Sequence, residues 1–204
     1  MCLLSLSVDE ALQTGSMGPV SNPYLYPFQA KINFRVLVHA RARVLFAPMA
    51  ATVEVNGIEE LKRLQGQTIG PTEWRTITQE DIDTFAQLSG DDQWIHVDVE
   101  RAKKQSPFGT TIAHGNLTLS AIDGLRRDLI SSTGFKLGVN YGWNKVRFPA
   151  PVPAGARIRA TAEVVDVDDV GGGWWQIVTR FTVEVEGSDK PCCVADSVGR
   201  ALPE

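Results

Sequence analysis

The chain has only three histidines, and two of them, His96 and His114, share one short window with Asp91, Asp92 and Asp98. Asp91 closes the run Phe85-Ala86-Gln87-Leu88-Ser89-Gly90-Asp91, and His96 follows five residues later. A turn between them can bring a carboxylate and an imidazole to one small volume, where both touch the same water. Adding water across a double bond needs such a pair: one group takes a proton from water and the other returns one to carbon. Taken alone, Asp91 also suits a turn or a helix end, because Asp after Gly is common in turns. His96 alone also suits a buried ring satisfied by a backbone carbonyl. A metal reading is weaker, since zinc sites favour spacings such as H-x-x-x-H with further ligands. No metal and no cofactor is expected.

A second segment, Phe108-Gly109-Thr110-Thr111-Ile112-Ala113-His114-Gly115, leads directly into the longest apolar-periodic stretch of the chain. Gly115 falls in the first turn of that helix, where backbone N–H groups lack intrahelical partners. Such an N–H, aided by the helix dipole, can bond a carbonyl oxygen that gains negative charge. Glycine lets a substrate approach the backbone closely. His114 reads as a residue that shapes the loop before the helix. Asp92 and Asp98 read as solvated or capping groups, with a contact from Asp98 to His96 as the alternative.

The elements that must position these groups follow from periodicity. Residues 55–65 (VNGIEELKRLQ) read as a short helix, with Ile58, Leu61 and Leu64 at helical spacing. Residues 74–77 alternate like a strand. Thr78 is the expected N-cap of a helix carrying Ile82, Phe85, Ala86 and Leu88, and 89–92 end it in a turn. His96 is expected in a loop, followed by one helical turn at 100–104. Residues 113–130 should form the central, most buried helix, with Leu117, Ala121, Ile122, Leu125 and Leu129 on one side. Strands then read at 135–141, 144–148, 156–167, 175–185 and 191–201. Helices first and an antiparallel meander afterwards indicate an α+β fold, with helices packed on one sheet face. Residues 1–48 show Gly, Pro and Ser punctuation and no clean period, and read as a poorly ordered extension. The arguable domain is 49–204.

Composition narrows the function classes. Of 204 residues, 43% are apolar and 22% charged, with a net charge of -4, which gives no basic footprint for a nucleic-acid partner. No apolar run reaches the ~18–20 residues that span a bilayer. The first residues lack a basic n-region and a long apolar stretch, so a secretory signal is not expected. Three cysteines without C-x-x-C argue against a disulfide framework or a zinc knuckle. Adjacent Cys192 and Cys193 read as small strand residues in a reducing cytoplasm. Lys145 and Arg147 alternate on a strand, suiting either phosphate contacts or a solvated face. The pair Trp174-Trp175 reads as packing.

The pattern F-A-x-L-S-G-D-x-x-x-I-H-x-x-x-x-x-A, followed by F-G-T-T-I-A-H-G, resembles the MaoC-like dehydratase family, which includes the (R)-specific enoyl-CoA hydratases (hydratase 2). The stretch 140–152 (NYGWNKVRFPAPV) is similar to the NodN-like branch, so the likeness covers roughly 55–203. The resemblance implies a hotdog fold, a long helix wrapped by an antiparallel sheet, in a homodimer with active sites near the subunit interface. By position it implies that Asp91 and His96 hold the catalytic water and that the Gly115 N–H polarises a thioester carbonyl. Gln93, Trp94, Phe108, Gly109, His114 and Asn116 are the implied substrate-side residues. The family's usual Asn-Pro is replaced here by Gln93-Trp94, and Asn116 stands where an apolar residue is usual; both substitutions bear on substrate range. The implied reaction is hydration of a trans-2-enoyl-CoA, or of its acyl-carrier-protein analogue, to the (R)-3-hydroxyacyl thioester. Two alternatives are a hotdog thioesterase, which would use the water on the carbonyl carbon, and a non-catalytic acyl-thioester-binding subunit.

Overall fold

The computed structural model describes residues 52–204. The expected extension at 1–48 lies outside the described residues. The remainder forms helices and an antiparallel sheet in the hotdog arrangement that the motifs implied.

The central helix is α5 (Gly115–Leu129), preceded by α1 (Gly57–Arg63), α2 (Gln79–Ser89), α3 (Trp94–Val97) and α4 (Val99–Gln105). The strands are β1 (Val53–Asn56), β2 (Thr68–Ile69), β3 (Arg75–Thr76), β4 (Ile130–Thr133), β5 (Phe135–Arg147), β6 (Arg157–Asp169), β7 (Trp175–Val185) and β8 (Cys193–Pro203). The six-stranded sheet has the order β2-β6-β7-β8-β5, with β3 also pairing β6, and every pair in it is antiparallel. A separate two-stranded pair joins β1 to β4 in parallel.

Helix α5 lies on this sheet through Ile122, Leu125 and Leu129, all 2% exposed or less. These pack in one cluster with Ile158, Phe181 and Val183, and with the small side chains Ala160, Ala162 and Ala195. Alanines on the sheet let the helix approach closely, while the bulkier neighbours fill the remaining volume. Each fully buried Ile or Leu contributes about 1.5–3 kcal/mol. Cys192 and Cys193 sit in the same cluster, and burial pushes their thiols up to about 12 and about 11.

Several expectations need correction. The helix at 55–65 begins only at Gly57, because Val53–Asn56 is drawn into a strand by pairing with β4. The expected strands at 135–141 and 144–148 are one strand, β5, with register shifts at Asn140/Gly142 and Trp143/Val146 that absorb the glycine. The meander is incomplete: β5 pairs β8 and not its sequence neighbour β6. Between them, Pro149, Pro151 and Pro153 carry no N–H for a ladder. That segment instead pairs with the loop before α5.

Candidate active site

Helix α2 brings the first acid into place. Thr78 is its N-cap and forms a capping box: Thr78 Oγ1 accepts from the Asp81 N–H at 3.1 Å, and the Thr78 N–H donates to Asp81 Oδ2 at 2.9 Å. The helix ends at Gly90, whose φ of 77° is left-handed and whose N–H bonds Ala86 O at 2.9 Å. This reversal, which glycine adopts without steric cost, turns Asp91 out of the helix line. Asp91 is exposed.

His96 is not in a loop, as its sequence suggested, but on the single helical turn α3. Its ring is 6% exposed, and Nδ1 lies 2.7 Å from the carbonyl oxygen of Ile112. A carbonyl only accepts, so Nδ1 carries the hydrogen and Nε2 presents a lone pair. The Ile112 N–H bonds back to Ile95 O at 3.1 Å. Residues 95–96 and 111–112 are thereby locked together. The 111–113 segment is held on its other side by 152–154, through Ala113 N to Val152 O at 2.8 Å and Ala154 N to Thr111 O at 3.0 Å.

His114 is the N-cap residue of α5 and is 2% exposed. Its ring stacks on that of His96, with centroids 3.8 Å apart and planes 28° apart. Its Nε2 donates to the main-chain oxygen of Asp91 at 2.9 Å. Gly115, the next residue, is the first of α5, so its N–H has no intrahelical acceptor. A Cβ there would lie 2.8 Å from Cδ2 and Cε2 of Phe148, so that aromatic ring rests against the glycine.

The structure therefore brings together Asp91, His96 and His114, with one ligand-type atom from each lying within 4.8 Å of the other two. These donor types could suit a cation, but the geometry fits one poorly. Two of the four ring nitrogens already face carbonyls. An ion about 2.0–2.1 Å from both stacked rings would stand well out of at least one ring plane, off its lone-pair direction.

The other expected site residues are placed as follows. Gln93 is exposed at the N-cap of α3. Trp94 is half-buried, with the Arg101 guanidinium 4.3 Å from its ring centroid. Phe108 and Gly109 lie in an exposed turn, and Asn116 is exposed on the first turn of α5. Asp98 caps α4 by accepting from the Arg101 N–H at 2.9 Å, as one of its two readings held. Lys145 and Arg147 are exposed on β5, while Trp175 is half-buried under the Lys62 ammonium. A cleft of about 500 Å³ lined by Asp83, Ala86, Gln87, Gly90, Asp92 and Val97 adjoins the Asp91 turn, but contains none of the three clustered side chains.

Sequence reasoning missed three supports. Gln79 donates to His96 O at 2.8 Å and accepts from the Thr111 hydroxyl, tying α2 to both motif segments. Phe85 flanks His114, with ring centroids 5.1 Å apart. Phe148 lies against Gly115. Phe85 was legible as an apolar residue of α2, but no spacing signal marks Gln79 or Phe148 as neighbours of the dyad.

One carboxylate and two imidazoles thus converge beside the N-terminus of α5 on a hotdog scaffold. Residues 60–185 match the family model described as MaoC like domain, and the chain belongs to that family of dehydratases. It is 52% identical over 143 residues to 3-hydroxyacyl-thioester dehydratase Z of Mycobacterium tuberculosis (strain ATCC 25618 / H37Rv), covering 70% of this chain and 94% of that protein. It is 39% identical to Nodulation protein N of Rhizobium leguminosarum bv. viciae, over 64% of this chain and 82% of the relative. Among solved structures, the monoamine oxidase regulatory protein from Archaeoglobus matches with a TM-score of 0.60 at 30% identity, over 74% of this chain and 97% of that one. The (R)-hydratase from A. caviae shares the fold, with a TM-score of 0.52 at 23% identity, over 68% and 96% of the two chains.

Proposed function

We propose that this hydro-lyase adds water to a trans-2-enoyl-CoA, giving the (R)-3-hydroxyacyl-CoA, and runs in reverse as a dehydratase. The observation that carries the reading is the convergence of Asp91 and His96 next to the first N–H of α5. His96 Nε2, left with a lone pair because Nδ1 holds the hydrogen, takes a proton from water. Asp91 accepts the water's other hydrogen bond and aims its oxygen at C3. The C3–O bond forms and the double-bond electrons move onto C2 and the thioester carbonyl, whose growing negative charge the Gly115 N–H receives. His96 then returns the proton to C2. Every proton and electron pair comes from water or substrate, so no cofactor is required. The 52%-identical relative is named for the dehydration of 3-hydroxyacyl thioesters, which is this reaction read backwards.

A homodimer completes the proposal. Asp91 is exposed in the single chain. Strand β5 forms one end of the sheet order, and its Leu137, Val139 and Tyr141 are between 41% and 59% exposed. A long apolar edge strand is normally covered in a working protein, and a second copy of this chain suits it. Among the described residues no helix is long and apolar enough to cross a membrane. The proposed CoA-thioester substrate suits a cytoplasmic enzyme. The test is loss of enoyl absorbance with crotonyl-CoA, product chirality, and the same assay on Asp91→Asn and His96→Ala. Each variant should lose on the order of 10²- to 10⁴-fold in rate. Near-wild-type turnover in either removes the mechanism, and release of free thiol in place of enoyl loss would redirect it to thioester hydrolysis.

A further inference from the structure

We infer that His114 is a positioning residue that sets the geometry of both members of the dyad, an inference that rests on the hydratase reading above. One side chain touches each of them. Its Nε2–H holds the main-chain oxygen of Asp91 at 2.9 Å, closing a link across 23 residues of chain. Its ring lies against that of His96 at 3.8 Å, and His96 is itself held by Nδ1 on the Ile112 carbonyl and by Gln79 on its main-chain oxygen. As the residue before Gly115, it also fixes where α5 begins: its carbonyl accepts from the Thr118 N–H at 3.1 Å and from Thr118 Oγ1 at 3.3 Å. Its side chain makes no cap for α5 and is directed instead to the Asp91 turn.

Two features separate this role from simple filling. First, His114 Nδ1 is buried and has no hydrogen-bond partner among the described residues. A buried unpaired acceptor is destabilising, and phenylalanine would fill the same space beside Phe85 without it. Stability alone does not account for an imidazole here, whereas the bond to Asp91 does. Second, neither ring nitrogen is open to solvent: one is bonded and the other enclosed. The ring therefore acts through its neighbours and does not itself shuttle protons to solvent.

The test uses the full chain and three forms: wild type, His114→Phe and His114→Gln. The first variant keeps a stacking ring without a donor. The second returns an N–H toward the Asp91 oxygen. We expect His114→Phe to melt within a few degrees of wild type yet lose about 10²-fold in kcat on crotonyl-CoA, with KM changed less than about threefold, because a small misplacement of reacting groups costs that much. His114→Gln should recover to within about tenfold of wild type by the same reasoning. Wild-type kcat in His114→Phe overturns the inference. So does His114→Gln performing no better than His114→Phe, or a collapse of Tm in both variants, which would make the residue merely structural. Long-range ¹H–¹⁵N spectra of the unliganded protein supply a readout independent of activity. They should show the Nδ1–H form of His96 and the Nε2–H form of His114, with the His96 signals perturbed in His114→Phe. If wild type hydrates no enoyl thioester, the function reading fails, and these spectra alone decide the positioning inference.

Discussion

Replacing Gly115 with alanine probes the narrowest point of the site. The new Cβ would stand 2.8 Å from Cδ2 and Cε2 of Phe148 and 3.1 Å from its Cγ, where carbon pairs normally rest about 3.5–4.0 Å apart. Either the ring or the helix start must shift by roughly 1 Å to restore that spacing. Phe148 is 43% exposed, so its ring can turn away at a cost of about 0.5–1.5 kcal/mol in rotamer strain. Alanine offsets this with up to about 1 kcal/mol of helix propensity over glycine. The two nearly cancel, and Tm should move by no more than about 3 °C in a domain of this size. Activity should behave differently. The displaced ring or the methyl itself occupies the approach to the Gly115 N–H, and loss of one such donor costs about 10²–10³ in kcat, or about 2.7–4 kcal/mol. Thermal melts beside crotonyl-CoA kinetics measure both quantities on one preparation. The double variant Gly115→Ala/Phe148→Ala tells whether the ring or the methyl blocks the donor, because recovery requires the ring to be responsible. Wild-type kcat/KM in Gly115→Ala would refute the assignment of this N–H to the thioester oxygen.

Other consequences are more local. Thr78→Ala removes the hydroxyl of the α2 capping box and should cost about 1–2 kcal/mol of unfolding free energy, read by urea titration. Its kcat should fall only modestly, because the Gly90 reversal that presents Asp91 lies at the other end of the helix. Burial pushes the thiols of Cys192 and Cys193 up to about 12 and about 11, so at pH 8 almost none of either is thiolate. A chromogenic disulfide reagent at that pH should react with both only after denaturation; rapid labelling of either in the native protein would contradict the packing described for β8 and the segment before it.

The positions of the candidate site residues were legible because their signals are local. Asp91 after Gly90 marks a helix end, and the periodicity of Ile122, Leu125 and Leu129 marks a buried helix that must start near Gly115. The one-turn helix carrying His96 was not legible, since α3 spans four residues and no amphipathic period is visible at that length. Strand order was hidden for a related reason. A run of strand-forming residues does not say which strand lies beside it, and the β5–β8 pairing joins residues 47 to 68 positions apart. Nor can a linear pattern show that Gln79 bridges two motif segments, that His114 holds the Asp91 carbonyl, or that Phe148 covers Gly115. The sequence by itself determined which groups could move a proton and where the buried helix beginning near Gly115 would run, because residue type, turn chemistry and periodicity act over a few residues. Only the tertiary structure decided how those groups face one another, because ring stacking, side-chain bridges and strand pairing join residues far apart in the chain.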